Sequence, residues 1–297
     1  MANLKDLRNR IKSVQSTKKI TSAMKMIAAA KLKKAQNAAE ASRPYAAEMG
    51  RIMSDLVSKQ TASDTTPKLL SGTGYEQKHL VVVLTSNRGL CGGFNTSVTR
   101  EVKKFIATQE AQQKNVTILM VGKKGIDLFK QDHGHRLVGK HISITTPRFF
   151  NAEAIANDII ERFEKGEFDV CTIAYNKFIS TLSQEPTLKQ IIPFKGTVSD
   201  TGKKKQEKKT SLESIYEYEP SQEAVLARLL PRNLKVQIFS ALLESAASEH
   251  GSRMAAMDGA TRNAEDLIGN LNLTYNRTRQ AYITSELIEI ISGAEAL

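Results

Sequence analysis

The sequence predicts an α/β domain with a mostly parallel sheet, combined with a long antiparallel α-helical coiled coil. Three observations lead to this fold class. Helical periodicity fills both ends of the chain, and short β-branched apolar runs alternate with helical patterns in the middle. The two ends also carry complementary charge. We therefore expect the N- and C-terminal helices to form a shaft beside the α/β domain.

One long helix is predicted for the first 59 residues. An apolar heptad seam opens it, at Leu4, Leu7, Ile11 and Val14. We expect the stripe then to shift, to Thr17, Ile20, Met24 and Ile27. A helix from Asn3 to Lys59 is roughly 85 Å long, at about 1.5 Å per residue, which is more than one globular domain spans. It needs a partner along its length, and the C-terminal helix is the candidate of similar size.

The C-terminal pattern is helical from Ser221 onward. It contains Gly251, Gly259 and Gly269, each of which costs about 1 kcal/mol relative to alanine inside a helix. Since small residues let two backbones approach closely, we expect Gly251, Gly259 and the neighbouring alanines 255, 256 and 260 to face Ala28–Ala30. The alternative is a helical bundle that folds back on the middle domain.

The end of this helix carries two kinds of residue. Apolar side chains recur at three- and four-residue steps, at Leu267, Leu271, Tyr275, Tyr282, Ile283, Leu287 and Ile290. A polar belt comprises Asn276, Arg277, Thr278, Arg279, Gln280, Thr284 and Ser285. Its guanidinium groups can bind carboxylates through two parallel hydrogen bonds. Because the belt lacks Cys, His and paired acids, it predicts a partner-binding surface.

The middle of the chain predicts βαβ crossovers. Apolar runs typical of strands covered on both faces lie at 80–84, 116–121, 170–175 and 189–194. Helical patterns lie between them, at 95–110, 125–131 and 152–165. This alternation favours a mostly parallel sheet. A Ser-, Thr- and Gly-rich linker precedes it, and a lysine-rich excursion at 198–211 follows it.

Charge is distributed unevenly along the chain. The net charge is +12, but residues 1–59 hold 13 Lys and Arg against 4 acids, whereas residues 221–297 hold 7 against 9. A basic chain can bind nucleic acid, membrane phosphates or an acidic protein. Aromatic residues form only 6% of the chain and Trp is missing, which weighs against an RNA-binding module. A basic coiled-coil nucleic-acid protein, with steeply salt-dependent DNA binding, remains the alternative.

Segments that would place the chain in a membrane or outside the cell are not expected. No apolar run approaches the roughly 20 residues that span a bilayer, and the N-terminus lacks the apolar region of a secretory signal. We therefore expect no direct bilayer insertion. Cys91 and Cys171 lack metal-ligand spacing and predict buried, reduced thiols in a cytosolic compartment.

Two glycine turns follow predicted strands. Gly122 to Gly125 lacks the spacing of a phosphate-binding loop, and Arg88 to Gly93 fits neither that loop nor the dinucleotide-binding pattern. The histidines 133, 135 and 141 have no fixed helix spacing and predict a solvated loop. We predict no cofactor, metal or catalytic residues. A stand-alone nucleotide-binding α/β module remains the alternative, since it would use these glycine turns.

Four stretches resemble one family in order and spacing: MKMIAAAKLKKAQ at 24–36, SNRGLCGGFN at 86–95, SEHGSRMAAMDGAT at 248–261 and LNLTYNRTRQAYITSELIEIISGAEAL at the end. They resemble the gamma chains of F-type ATP synthases. The resemblance implies a non-catalytic rotor shaft inside a ring of alpha and beta subunits, with a Rossmann-like domain beside it. It also implies coupling of ion-driven rotation to ATP synthesis or hydrolysis, at the cytoplasmic face of a bacterial inner membrane.

The resemblance carries residue roles and a division of the chain. It implies contact with the catalytic beta subunit by Met24, Arg253, Arg279, Gln280 and Thr284. It implies a foot that contacts the c-subunit membrane ring or the epsilon subunit, made of Arg43, Tyr45, Tyr216, Tyr218 and Glu219. One departure is Asn87, where family members usually carry Asp. The expected division is a shaft helix at 1–59, a linker at 60–79, the α/β domain at 80–215 and the foot with the second shaft helix at 216–297.

Overall fold

The computed structural model describes residues 4–58, 67–142, 144–194 and 222–295. Two very long helices precede and follow a five-stranded domain in the chain. A 3-10 turn spans Gly134–Arg136. The helices are α1 (Leu4–Ser58), α2 (Lys68–Ser71), α3 (Phe94–Ala111), α4 (Lys123–His133), α5 (Phe149–Glu164) and α6 (Gln222–Glu295). The strands are β1 (Lys78–Leu84), β2 (Asn115–Val121), β3 (Leu137–His141), β4 (Val170–Phe178) and β5 (Gln184–Ile192).

Several expected features lie outside the described residues. They are the lysine-rich excursion at 198–211, the start of the linker at 60–66, and the foot residues Tyr216, Tyr218 and Glu219. Arg43 and Tyr45 are therefore the foot residues whose positions the structure gives.

The sheet has the strand order β3-β2-β1-β4-β5. Strands β1 to β4 run parallel, and β5 pairs antiparallel with β4. In the middle of the sheet, Val82 of β1 lies between Leu119 of β2 and Ile173 of β4. The predicted fold class, a mostly parallel α/β domain with a long antiparallel helix pair, is confirmed.

Strand β1 shows why the predicted strands are continuous apolar runs. Leu80, Val82 and Leu84 belong to the core beneath α5 and α6. Val81 and Val83 point to the opposite face, in the core beneath α3 and α4. Because successive side chains point to opposite faces and both faces are covered, every residue from 80 to 84 is buried.

The edge strand β3 was not predicted. Its residues alternate between half-buried and exposed, so it lacks the apolar run that marks a central strand. His141 ends this strand, and its Nε2 lies 3.0 Å from Oδ2 of Asp158 on α5. The expectation of a solvated loop at His141 was therefore wrong. Strand β5 also begins before the predicted run at 189–194, at Gln184.

The seam of α1 differs from the predicted stripe. The buried and half-buried positions keep a heptad spacing from Leu7 to Leu56, through Lys18, Thr21, Lys25 and Ala28. The expected shift was wrong, because Ile20 and Ile27 are 60% and 56% exposed. Polar residues take the seam positions in this region, and the apolar residues there point outward.

Helix α6 has three successive parts. Its first part, 222–256, packs against both α1 and the sheet, and residues from Leu234 to Leu242 belong to the sheet core. Its second part, 257–275, pairs with α1. Its third part, 276–295, is exposed almost throughout in the residues that the structure describes. The coiled coil and the folded-back arrangement thus occupy successive parts of one helix.

The small residues of α6 do not all face α1. A Cβ at Gly251 would lie 3.2 Å from Cε2 of Phe178 in β4. The absence of a side chain at Gly251 therefore lets α6 pack closely against the sheet domain. At Gly259 and Gly269 a Cβ would contact nothing within 4 Å. Ala28 is buried in the seam, whereas the next two alanines are exposed. The expectation that these glycines bring α6 close to the alanines of α1 was wrong.

Candidate functional site

The polar belt lies on the exposed third part of α6. Arg279 and Gln280 make no side-chain hydrogen bond with any residue that the structure describes, so their donors face solvent. Oγ1 of Thr284 donates to the carbonyl of Gln280 at 3.0 Å. The hydroxyl is therefore tied to its own helix, while the guanidinium and amide one turn earlier are available to a partner.

Apolar side chains surround the same helix end. The exposed large hydrophobic residues are Tyr282, Ile283, Leu287, Ile288, Ile290 and Ile291. The 20 residues from 276 to 295 extend roughly 30 Å as a helix. An exposed apolar surface of this kind marks a site of protein–protein contact. The end of α6 is therefore an exposed surface with apolar residues around its circumference and a cationic belt at its base.

Polar contacts join the two shaft helices next to this end. Nζ of Lys18 lies 2.7 Å from Oε1 of Glu265, and Nζ of Lys25 lies 2.6 Å from Oδ1 of Asp258. Between them, Oγ1 of Thr261 lies 2.9 Å from Oγ1 of Thr21. These residues occupy seam positions, where polar groups fix the register of a coiled coil. The complementary charge of the two chain ends is thus realised as specific pairs.

The loop after β1 binds α6. Oγ of Ser252 donates to the carbonyl of Cys91 at 2.6 Å. Gly92 has a φ of +54°, and a Cβ there would lie 3.2 Å from Oγ of Ser252 and 3.6 Å from Cβ of Ala256. On the neighbouring strand, Oγ of Ser248 donates to the carbonyl of Asn176 at 2.8 Å. Gly92 therefore lets this loop pack closely against α6.

The contact of α6 with β4 and the loop after β1 lies where an open α/β sheet usually binds its ligand. The strand order reverses between β1 and β4, and ligands of such sheets bind at the carboxyl ends of the strands at that point. Here the first part of α6 packs against those strand ends. The crevice thus serves to attach the shaft.

The comparisons with known proteins cover the whole chain. A protein-family model described as ATP synthase matches residues 3–297. The ATP synthase gamma chain of Roseobacter denitrificans is 51% identical over 300 residues, and that of Parvibaculum lavamentivorans is 53% identical over 306. Both alignments cover 100% of each chain. The chain belongs to the ATP synthase gamma chain family. It is accordingly a central stalk subunit of ATP synthase.

Solved structures of mitochondrial ATP synthases share its architecture. The central stalk and c-ring structure of Tetrahymena thermophila mitochondrial ATP synthase matches with a TM-score of 0.60 and 26% identity, over 81% of this chain and 99% of that one. A Euglena gracilis mitochondrial ATP synthase structure, covering OSCP, F1 and the c-ring, matches with a TM-score of 0.66. Its identity is 20%, over 99% of this chain and 94% of that one, so it bears on the fold alone.

The structure places two residues of the gamma chain resemblance, Met24 and Arg253, at one cavity of about 520 Å³ between α1, α6 and the loop after β1. Nη1 of Arg253 forms a 2.8 Å ion pair with Glu249, and its Nη2 donates to the carbonyls of Arg88 and Gly89 at 3.3 and 3.4 Å. Arg253 thus binds the loop after β1 to α6. The side chain of Met24, on α1, is half-buried.

His250 shares this cavity. Burial, with the nearby charges of Arg253 and Lys31, lowers its pKa to about 4. The imidazole is therefore neutral near pH 7. Its Nδ1 lies 3.3 Å from Nη1 of Arg253, which fits a neutral ring accepting from the guanidinium.

Two of the residues expected at the foot, Arg43 and Tyr45, lie on α1. Arg43 is exposed, and the half-exposed ring of Tyr45 lies 5.9 Å from the guanidinium carbon of Arg232 on α6. The structure does not bring this pair near Arg279 or Met24, since successive parts of the shaft carry them. None of the described helices combines the length and apolar character that a bilayer crossing needs.

The glycine turn at 122–125 is held by the segment that follows the neighbouring strand β1. The amide of Gly125 donates to Oγ1 of Thr85 at 3.1 Å, and the amide of Lys123 donates to Oδ1 of Asn87 at 3.1 Å. A Cβ at Gly125 would lie 2.5 Å from Cε of Met120. These amides are used within the sheet, as expected of a crossover turn.

Sequence reasoning missed the residues that join the shaft to itself and to the sheet. Lys18, Lys25 and Asp258 carry no local pattern that pairs them, although the opposite charge of the chain ends signals that such pairs exist. Ser248 and Ser252 lie four residues apart in a stretch that resembles the family, and that spacing places both on one helix face.

Proposed function

We propose that this chain is the rotating shaft of an F-type ATP synthase, coupling ion-driven rotation of a membrane ring to conformational changes at catalytic beta subunits. One observation carries the proposal. A single helix, α6, runs from the core of the sheet domain, along the coiled coil, to an exposed end of 20 residues. A torque applied to the domain or to the lower shaft therefore reaches the exposed end through one continuous element.

The partners follow from the two exposed regions. The end of α6 enters a ring of alternating alpha and beta subunits, where Arg279 and Gln280 bind polar groups of a beta subunit and Thr284 lies one turn further on. Met24 and Arg253 contact the beta subunit lower on the shaft. The foot, with Arg43, Tyr45, Tyr216, Tyr218 and Glu219, contacts the c-subunit ring or the epsilon subunit. The matched structures comprise a central stalk with its c-ring and an assembly of OSCP, F1 and c-ring, which supports these partners.

The shaft acts by differential binding. It has no rotational symmetry, so each turn presents a different face of α6 and α1 to each catalytic subunit. A partner shifts a conformational equilibrium only by the difference in its affinity for the two states. The chain therefore changes the state of the catalytic subunits without taking part in the chemistry, and is not an enzyme on its own.

The proposed division of the chain separates a rotating axle from the α/β domain that is attached to it. The shaft helix at 1–59 and the foot with the second shaft helix at 216–297 form the rotating axle. The α/β domain at 80–215, reached by a linker at 60–79, is fixed to the axle through Ser248 and Ser252. We place the chain as a peripheral subunit on the cytoplasmic face of the bacterial inner membrane.

Reconstitution tests the proposal. The chain is mixed with alpha and beta subunits of the same bacterium, and ATPase activity is measured with the native chain and with Arg279→Ala/Gln280→Ala. The native chain should convert the mixture into an active complex, and the double variant should lower that activity. A matched control, Arg100→Ala on the exposed face of α3, should behave as the native chain does. Failure of the native chain to assemble with the ring would contradict the shaft role.

A further inference from the structure

A second cavity, of about 440 Å³, lies between α1, the end of β5 and α6. Small residues of α1 open it, at Ala46, Ala47 and Gly50, and Phe194 and Val236 supply an apolar wall. This volume lies within the range of small-molecule sites, which span about 300–1,000 Å³. The cavity can therefore hold a ligand with an apolar part beside a polar one.

Hydrogen-bond donors form the polar wall. The polar side chains of the lining are Arg51, Ser54, Lys189, Asn233, Gln237 and Ser240. Each carries at least one N–H or O–H donor, and none of the described lining residues is a carboxylate. Asn233 and Gln237 make no side-chain hydrogen bond with any described residue. A donor-rich wall with a cationic member favours an anion.

The wall holds two cations, and since Arg51 pairs with Glu48 on its own helix, Lys189 is the one that supplies charge to the cavity. It lies on β5 opposite Ile173, is half-buried, and forms no ion pair with a residue that the structure describes. Burial lowers the pKa of its ammonium group, and the charge of Glu244 acts in the opposite direction. Glu244 belongs to α6 but does not line the cavity, and burial raises the pKa of its own carboxyl. Glu244 is thus near Lys189 but forms no direct ion pair with it, and a partly desolvated ammonium in that position gains from an anion beside it.

We propose that this cavity binds a small phosphate-bearing anion, with Lys189, Asn233 and Gln237 donating to the phosphate oxygens and Phe194 and Val236 packing against an attached organic group. The shared chemistry is a phosphate, supplied as the free ion, a nucleotide or a lipid headgroup. The site is remote from the exposed end of α6, so the inference goes beyond the shaft function and does not depend on it.

Calorimetric titration of the full-length chain tests the site. Three probes are used: inorganic phosphate, ATP without magnesium, and phosphatidylcholine vesicles with or without phosphatidylglycerol. At least one probe should bind, and the one that binds identifies the source. Lys189→Met removes the charge, and the nearly isosteric Gln237→Glu places a carboxylate in the donor wall. Each should weaken binding by about tenfold or more, since bonds to charged groups are the stronger ones.

Matched controls keep the result interpretable. Lys130→Met and Gln131→Glu make the same changes on exposed α4 and should leave the affinity unchanged. Should Lys189→Met fail to fold, Gln237→Glu carries the test alone, since it keeps the shape of the side chain. Binding by none of the three probes at millimolar concentration overturns the proposal, and so does binding that both cavity variants leave intact. Neither result would affect the reconstitution of ATPase activity.

Discussion

Lys25 on α1 and Asp258 on α6 form an ion pair across the seam of the shaft, with 2.6 Å between Nζ and Oδ1. Arg262, one turn along α6, also binds Asp258 at 3.1 Å. The hydrogen bond from Lys25 holds the pKa of Asp258 below its ordinary value. The pair occupies a seam position where an apolar residue would permit several registers, so its main effect is on alignment of the helices.

Charge reversal tests this alignment. Lys25→Asp or Asp258→Lys alone places like charges across the seam and should lower the thermal unfolding midpoint of the full-length chain. The exchanged pair Lys25→Asp/Asp258→Lys should recover most of the loss, and high salt should reduce all differences because exposed charges are screened. Reversal of Lys104, which pairs with Glu101 within α3, is the control. Additive losses in the exchanged pair would contradict the register role.

Gly92 tests the joint between the loop and the shaft. Alanine there must adopt a φ of +54° and place its Cβ 3.2 Å from Oγ of Ser252. Gly92→Ala should therefore destabilise the chain by about 1–2 kcal/mol, measured by denaturant unfolding. Gly134→Ala is the matched control, because its φ is −59° and its Cβ meets open space. It should be neutral or stabilise by up to about 1 kcal/mol. Equal effects at the two positions would exclude a packing role for Gly92.

His250 predicts a pH dependence. Its pKa is about 4 in the folded chain against an ordinary value of 6.5, so the unfolded state binds the proton more tightly. Its contribution is fully present above pH 6.5 and is lost as pH falls from 6.5 towards 4. The loss is on the order of 1–2 kcal/mol after allowance for solvent screening. His250→Gln should flatten the unfolding free energy across this interval, whereas exposed His135→Gln should not. An unchanged slope in His250→Gln would contradict the assignment.

A substitution at Asn176 tests the buried hydrogen bonds between β4 and the start of α3. This fully buried side chain donates from Nδ2 to the carbonyl of Phe94 at 2.8 Å and accepts from Oγ of Ser97 at 3.1 Å. Asn176→Ala removes one partner from each of these groups, which keep only the 2.9 Å bond from Oγ of Ser97 to the Phe94 carbonyl, and should cost about 1–3 kcal/mol in the free energy of unfolding. Asn157→Ala, on an exposed face of α5, should be neutral or slightly stabilising because alanine favours a helix. A loss of unfolding free energy in Asn176→Ala no greater than that in the control would contradict a stabilising role for this network.

Much of the fold was predictable because local pattern and burial agree. Strands β1, β2 and β4 are covered on both faces and so are apolar runs, and helices α3 and α5 carry apolar stripes that match their buried sides. The exposed Arg279 and Gln280 were predictable for a similar reason. A dense polar belt inside an apolar helix pattern has no place in a core.

Other features depend on contacts that no local pattern records. The outward position of Ile20 and Ile27 follows from a seam that keeps its heptad spacing through Lys18 and Lys25, where cross-helix ion pairs replace apolar contacts. Gly251 faces Phe178 because this part of α6 packs on the sheet as well as on α1. Both outcomes are set by tertiary register, which a single sequence does not specify.

Direct observation of rotation tests the central claim. Lys130→Cys on exposed α4 provides an attachment point, since the native Cys91 and Cys171 are buried. The chain is assembled with immobilised alpha and beta subunits, a bead is attached to the new thiol, and ATP is added. The shaft account predicts that the bead turns in one direction in steps that follow ATP hydrolysis. Hydrolysis that proceeds at the full rate while the bead stays fixed would contradict it.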